Sequence, residues 1–302
     1  MASTEPALPS PSVRRWKLAR RSLAYGERTL VMGILNVTPD SFSDGGQFRD
    51  FDKALAHAEQ MLEEGADILD IGGESTRPGG SPVASEEEMR RVVPLVEALT
   101  RKFDVPISVD TSKASVARAA LEAGAEIIND ISALRFDPHV ADEAAHFSAG
   151  LILMHSLGTR ETLHTSAPVE DVLPEVVLGL RRSIAEAERR GVARESIAID
   201  PGIGFGKTQE QNLELLARLD LLAREFPDLP LLVGTSRKRF IGALLGNIAP
   251  AERLHGTMAT VAAAILRGAH LVRVHDVLPA VQTARIAEAI RAVNRESSIV
   301  NS

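Results

Sequence analysis

The 302-residue chain carries 34 Lys and Arg against 41 Asp and Glu, a formal net charge of −7, which leaves no general attraction for nucleic acid or anionic membrane surfaces. It contains no cysteine, so disulfides, thiol catalysis, thiolate zinc and iron–sulfur clusters are excluded, and a metal would be a hard ion such as Mg²⁺ on oxygen or imidazole ligands. One Trp, one Tyr and nine Phe are too few rings to stack successive bases.

Met1 to Pro11 holds Glu5 and three prolines and lacks a basic start followed by an apolar core, so it does not read as a secretory signal. A disordered tail over 1–15 and a cytoplasmic protein are expected. No apolar run reaches the ~20 residues of a bilayer crossing. A small hairpin is predicted in 16–28, around the turn Tyr25-Gly26-Glu27-Arg28.

From Thr29 one unit recurs: a short apolar run, a polar residue at its end, a Gly- or Ser-rich turn, then a stretch of helical period. The runs fall at 30–36, 68–70, 107–110, 127–129, 151–155, 197–200, 231–234 and 271–275. Helices are predicted between and after them over 52–64, 85–103, 113–123, 138–147, 170–190, 208–226, 252–267 and 278–294. Within 208–226, Leu213, Leu216 and Leu219 lie mostly on one face. Eight strict alternations predict an α/β fold, a single (β/α)8 TIM barrel over 16–295 with a short tail at 296–302, and a doubly wound open sheet is the competing arrangement.

In such a barrel the chemistry sits where the strands end. Asn36, Asp70, Asp110, Asn129, His155, Asp200, Lys238 and the pair Arg273/His275 fall at or just beyond those ends. Any one of the Asp or Asn residues would pass for a helix cap. The whole set at one mouth points to a polar site. Side-chain alternation puts Arg273 and His275 on one face of the last strand, a wall suited to an anion such as phosphate.

Three loops at that end are long and rich in glycine: Thr38 to Gly46, Gly72 to Gly80 and Asp200 to Lys207. The last, Asp200-Pro201-Gly202-Ile203-Gly204-Phe205-Gly206-Lys207, has neither P-loop nor dinucleotide spacing. A bulky Phe205 inside such a turn implies that it covers something, and a ring-shaped ligand is the candidate.

The segments 32–46 (Met-Gly-Ile-Leu-Asn-Val-Thr-Pro-Asp-Ser-Phe-Ser-Asp-Gly-Gly) and 70–79 (Asp-Ile-Gly-Gly-Glu-Ser-Thr-Arg-Pro-Gly), with Ser108-Val109-Asp110-Thr111, Ile128-Asn129-Asp130, Leu153-Met154-His155, the Asp200–Lys207 loop, Gly234-Thr235-Ser236-Arg237-Lys238 and Arg273-Val274-His275-Asp276, resemble the bacterial dihydropteroate synthase family. The resemblance implies condensation of (7,8-dihydropterin-6-yl)methyl diphosphate with 4-aminobenzoate, giving 7,8-dihydropteroate and diphosphate in folate synthesis, by a Mg²⁺-dependent transferase that sulfonamides inhibit and that forms homodimers. It implies a pterin pocket of Asp110, Asn129, Asp200 and Lys238. Asn36, Thr76, Arg77, Arg273 and His275 would face the diphosphate, with Asn36 also a Mg²⁺ ligand. Phe42, Pro78 and Phe205 would flank the aminobenzoate ring, and where many members have a Ser linked with its carboxylate this chain has Arg239, so that Arg or a backbone N–H would serve. Asp44, Arg273 and His275 would be the catalytic groups. A pterin-dependent methyltransferase domain and a non-catalytic pterin-binding module are the alternatives, and both lack a reason to keep Asn36, Asp44 and the Arg273/His275 pair together.

Overall fold

The computed structural model describes residues 14–37, 47–74, 83–160, 162–163 and 169–300. Two short strands, β1 (Arg14–Lys17) and β2 (Ser22–Tyr25), pair antiparallel. Their turn is closed by Leu18 N–H on the Arg21 carbonyl at 2.8 Å. The hairpin therefore folds at 18–21, and the predicted turn at Tyr25–Arg28 instead leads out of it, with Gly26 at φ +95°, into the barrel. The first strand also takes in Arg14 and Arg15, residues expected in the tail.

Eight parallel strands follow: β3 (Leu30–Asn36), β4 (Ile68–Gly72), β5 (Ile107–Asp110), β6 (Ile127–Asp130), β7 (Gly150–Met154), β8 (Ile197–Asp200), β9 (Leu232–Val233) and β10 (Leu271–Val274). Their order is β8-β7-β6-β5-β4-β3-β10-β9. The bridge between Ile199 and Leu231 joins the last strand to the first in that order and closes the barrel. The strand predicted over 231–234 is shortened to two residues. Pro230 has no N–H for the ladder, and the Leu231 N–H is taken by His270 Nδ1 at 2.9 Å.

The helices are α1 (Gln47–Glu63), α2 (Ser85–Lys102), α3 (Ala114–Glu122), α4 (Val140–His146), α5 (Val172–Arg189), α6 (Gln209–Ala217), α7 (Leu219–Glu225), α8 (Arg239–Leu244), α9 (Leu254–Leu266) and α10 (Val277–Val300). The single helix predicted over 208–226 is two, because Arg218 leaves helical geometry at φ −112°, ψ 18°. The buried face is Leu215, Leu216, Leu219 and Leu222, while Leu213, expected on the inner stripe, faces outward. The helix α10 continues past 294 through most of the predicted tail.

Alternation along the strands divides the core in two. One set, including Val31, Leu69, Val109, Ile128, Leu153, Ile199, Val233 and Val272, packs against the helices. The other set, Leu30, Met32, Ile68, Ile127, Ile152, Ala198, Leu232 and Leu271, fills the barrel and is plugged at its amino end by Trp16, Leu18 and Tyr25 of the hairpin. Trp16 is fully buried, with its indole N–H on the Ser196 carbonyl at 2.9 Å. The hairpin is pinned from outside the barrel as well, since Arg20 and Arg21 both bond the buried carboxylate of Glu126. A solid floor follows, and any ligand must enter at the opposite, carboxyl end.

Candidate active site

Two residues above four of the floor side chains, on the same inward face, stands a polar one. Ile68 is followed by Asp70, Ile127 by Asn129, Ala198 by Asp200 and Leu271 by Arg273, with Ser108 and Asp110 on the neighbouring strand. The floor is apolar and the layer above it ionisable. Asp70 lies at its centre with 0% exposure. Its Oδ1 accepts from Ser108 Oγ at 2.6 Å, and its Oδ2 accepts from Arg273 Nε at 2.6 Å and Asn129 Nδ2 at 3.3 Å. A second arm of the guanidinium, Nη2, donates to Asp110 Oδ2 at 2.8 Å. Arg273 is thus shared by two carboxylates, and the wall predicted to hold two cations carries a neutralised one. Asp70 was absent from the residues assigned a ligand. The signal was present: it has the inward parity of Ile68.

Burial pushes Asp110 up to about 7, against the pull of Arg273 and with the help of Asp70. Burial likewise raises Asp200 to about 6, opposed by the Gly202 N–H that its Oδ1 accepts at 2.7 Å and by Lys238. Lys238 is lowered to about 8, by burial and then by Arg273. The mouth therefore holds two carboxylates and an amine that all change charge near neutrality, a grouping typical of functional sites.

The Asp200–Lys207 loop folds back over this layer. Gly202 sits at φ +67° so close to β7 that a Cβ would lie 1.8 Å from the His155 carbonyl oxygen. Lys207 ties the loop down, its Nζ donating to the carbonyls of Gly202, Phe205 and His155 at 2.9, 3.1 and 3.3 Å. Phe205 is thereby held with its ring 3.8 Å below Lys238 Nζ. Arg239, the first residue of α8, is exposed beside the same loop, lining an open cavity of about 390 Å³ with Gly204, Gly206 and Lys207.

Asn36 is at the open end of β3 with its side chain exposed, and His275 follows β10 with Nδ1 2.9 Å from Ser236 Oγ. His155 does not join the mouth. It follows inward-facing Met154, so its parity sends it outward against Gly179 of α5, where burial holds it far below the usual range, at about 2. Asp44, Phe42, Thr76, Arg77 and Pro78 lie outside the described residues.

A closed barrel with two raised carboxylates, an amide and a lysine gathered at its open end, and an aromatic side chain beneath that lysine, has the convergent polar groups of an enzyme's ligand site. The family model described as pterin binding enzyme matches residues 32–275. The dihydropteroate synthase of Bacillus subtilis is 48% identical over 269 residues, 89% of this chain and 91% of that one. Among solved structures, the Yersinia pestis dihydropteroate synthase in a sulfonamide drug complex has a TM-score of 0.85 at 44% identity, covering 92% of this chain and 99% of that chain. The Xanthomonas albilineans dihydropteroate synthase with 4-aminobenzoic acid has a TM-score of 0.85 at 45% identity, covering 93% and 99%. The chain belongs to the dihydropteroate synthase family, and its activity is that of a transferase of folate biosynthesis.

Proposed function

We propose that Asp110, Asn129, Asp200 and Lys238 hold the pterin ring of (7,8-dihydropterin-6-yl)methyl diphosphate, and that 4-aminobenzoate stacks beside Phe205. The observation that carries this is the inward polar layer, in which the carboxylate of Asp200 is rigidly presented by the Gly202 N–H. A carboxylate can accept two parallel N–H donors from an amidine-like edge, and an ammonium can serve the ring oxygen and nitrogen. Asn36, Arg273 and His275 face the leaving diphosphate. Thr76 and Arg77 also serve it, Pro78 and Phe42 flank the aminobenzoate, and Asp44 offsets positive charge on the pterin. Arg239 pairs with the aminobenzoate carboxylate, because it is a cation beside the loop that carries Phe205.

The C–O bond to the diphosphate breaks as positive charge spreads into the electron-rich pterin, and the neutral aromatic amine then attacks the methylene carbon. No strong base is required for that amine near pH 7. Positioning and electrostatics supply the acceleration. Mg²⁺ fits the donor set: Asn36 offers one exposed neutral oxygen, and among the described residues no group of three or more His, Asp or Glu is gathered for a metal. Asn36 would hold the ion with few other protein ligands needed, and the ion would supply Lewis-acid stabilisation of the leaving diphosphate.

Diphosphate release, measured with and without 4-aminobenzoate, tests the reading. Release is expected only with the amine and Mg²⁺ present, and inhibition by sulfamethoxazole is expected to be relieved by added 4-aminobenzoate. Release that ignores both the amine and excess chelator would sink it. Asp200→Asn is expected to weaken pterin binding by about 1.5–3 kcal/mol, the range for hydrogen bonds to a charged group. In the native enzyme affinity is expected to fall as the pH drops through about 6, where Asp200 would take up a proton. Calorimetric titration against pH should lose that inflection in the variant; an inflection that survives assigns it elsewhere.

We further propose a cytoplasmic homodimer. No described helix is long and apolar enough to cross a membrane. On α10, Ile286 and Ile290 are 66% and 48% exposed one turn apart, a stripe suited to a second copy. Sedimentation of Ile286→Glu/Ile290→Glu as a species identical in mass to the native one would remove that face from the interface.

A further inference from the structure

The segment that delivers Lys238 is held in a conformation it would not choose. Arg237 lies at φ +57°, the left-handed region disfavoured for a residue with a Cβ, and such geometry persists only where the surroundings over-determine it. Its N–H donates to Thr257 Oγ1 at 3.1 Å, and its carbonyl accepts from Arg253 Nη1 at 2.8 Å. Its guanidinium forks onto Asp276, Nε to Oδ2 at 3.1 Å and Nη2 to Oδ1 at 2.6 Å.

Asp276 stands immediately before α10, where an Asp ordinarily caps the helix with its carboxylate. Here both carboxylate oxygens are on Arg237, and the Leu278 N–H in the first turn is met by Glu64 Oε2 at 3.2 Å. One residue earlier on each segment lies a second rung. The His275 N–H donates to Ser236 Oγ at 3.1 Å, and the same oxygen is 2.9 Å from His275 Nδ1.

We propose that Arg237 and Asp276 are a positioning pair that fixes the spacing between Lys238, on the pterin side, and Arg273 and His275, on the leaving-group side. The proposal rests on the residue roles given under Proposed function. The two rungs, Ser236 with His275 and Arg237 with Asp276, join the loop after β9 to the end of β10. Neither Arg237 nor Asp276 touches substrate; each acts through its neighbour.

The test separates positioning from scaffolding. Glycine adopts φ +57° without strain, so Arg237→Gly loses the fork while shedding the unfavourable geometry. It is expected to melt within a few degrees of the native enzyme and to bind a pterin without diphosphate several-fold more weakly, because Lys238 is displaced. Its kcat per folded molecule should fall at least about tenfold, as displaced catalytic groups produce. Asp276→Asn should move kcat in the same direction, and it carries the test if the glycine variant does not fold. A native kcat per folded molecule in these variants would make the pair scaffold only and overturn the proposal. Native enzyme that releases no diphosphate with 4-aminobenzoate would overturn the functional reading itself, and the pair with it.

Discussion

Arg273→Ala is expected to lower turnover by roughly 10²–10³-fold, the usual cost of removing a donor aimed at developing negative charge, and also to weaken a pterin that has no diphosphate. Strand parity suits Arg273 to an anion and the family resemblance places it at the diphosphate, from which intact pterin affinity would follow. The structure alters that expectation, because the guanidinium is the partner of Asp70 and of Asp110, which is proposed for the pterin pocket. Without it Asp110, already raised to about 7, rises further and is protonated at pH 7. Since a carboxyl raised in the folded protein gains its charge only as the pH climbs through its own value, pterin affinity in the variant should recover at higher pH. Calorimetry with 6-hydroxymethylpterin at pH 7 and well above it decides the point. Affinity equal to native at both would confine Arg273 to the diphosphate.

Trp16→Ala should produce the largest loss of stability, roughly 3–5 kcal/mol for a fully buried aromatic truncated in a packed core. It also leaves the Ser196 carbonyl without its indole donor. For a chain of this size the midpoint should fall by roughly 10 °C. The plug occupies the amino end of the barrel and the polar layer lies above the floor, so kcat measured well below the transition should stay near native. Thermal scans paired with low-temperature kinetics check both halves. An unchanged midpoint, or activity lost from enzyme that remains folded, would contradict the role assigned to the hairpin.

The barrel was legible because local and global signals agree. Each strand is a short apolar run closed by a polar residue, and each connection carries a helical period, so that the order of elements admits few topologies. Asp110, Asn129, Asp200 and Arg273 were legible for the same reason, since they sit at the ends of those runs. His155 shows the limit of reading positions alone: it ends a strand as they do, yet inward-facing Met154 precedes it and turns it toward α5. Asp70 shows the converse, with parity that marks it as inward.

The sequence by itself determined the fold class, the end of the barrel that carries chemistry, and the residue types gathered there, because these follow from periodicity and composition within a few residues of chain. Only the tertiary structure decided how the groups pair. Arg273 meets Asp70 across 203 positions and Asp110 across 163, and Asp276 gives up helix capping for Arg237 because Glu64, from α1's carboxyl end, takes the Leu278 N–H. Charge states follow from those pairings and from burial, neither of which local pattern encodes.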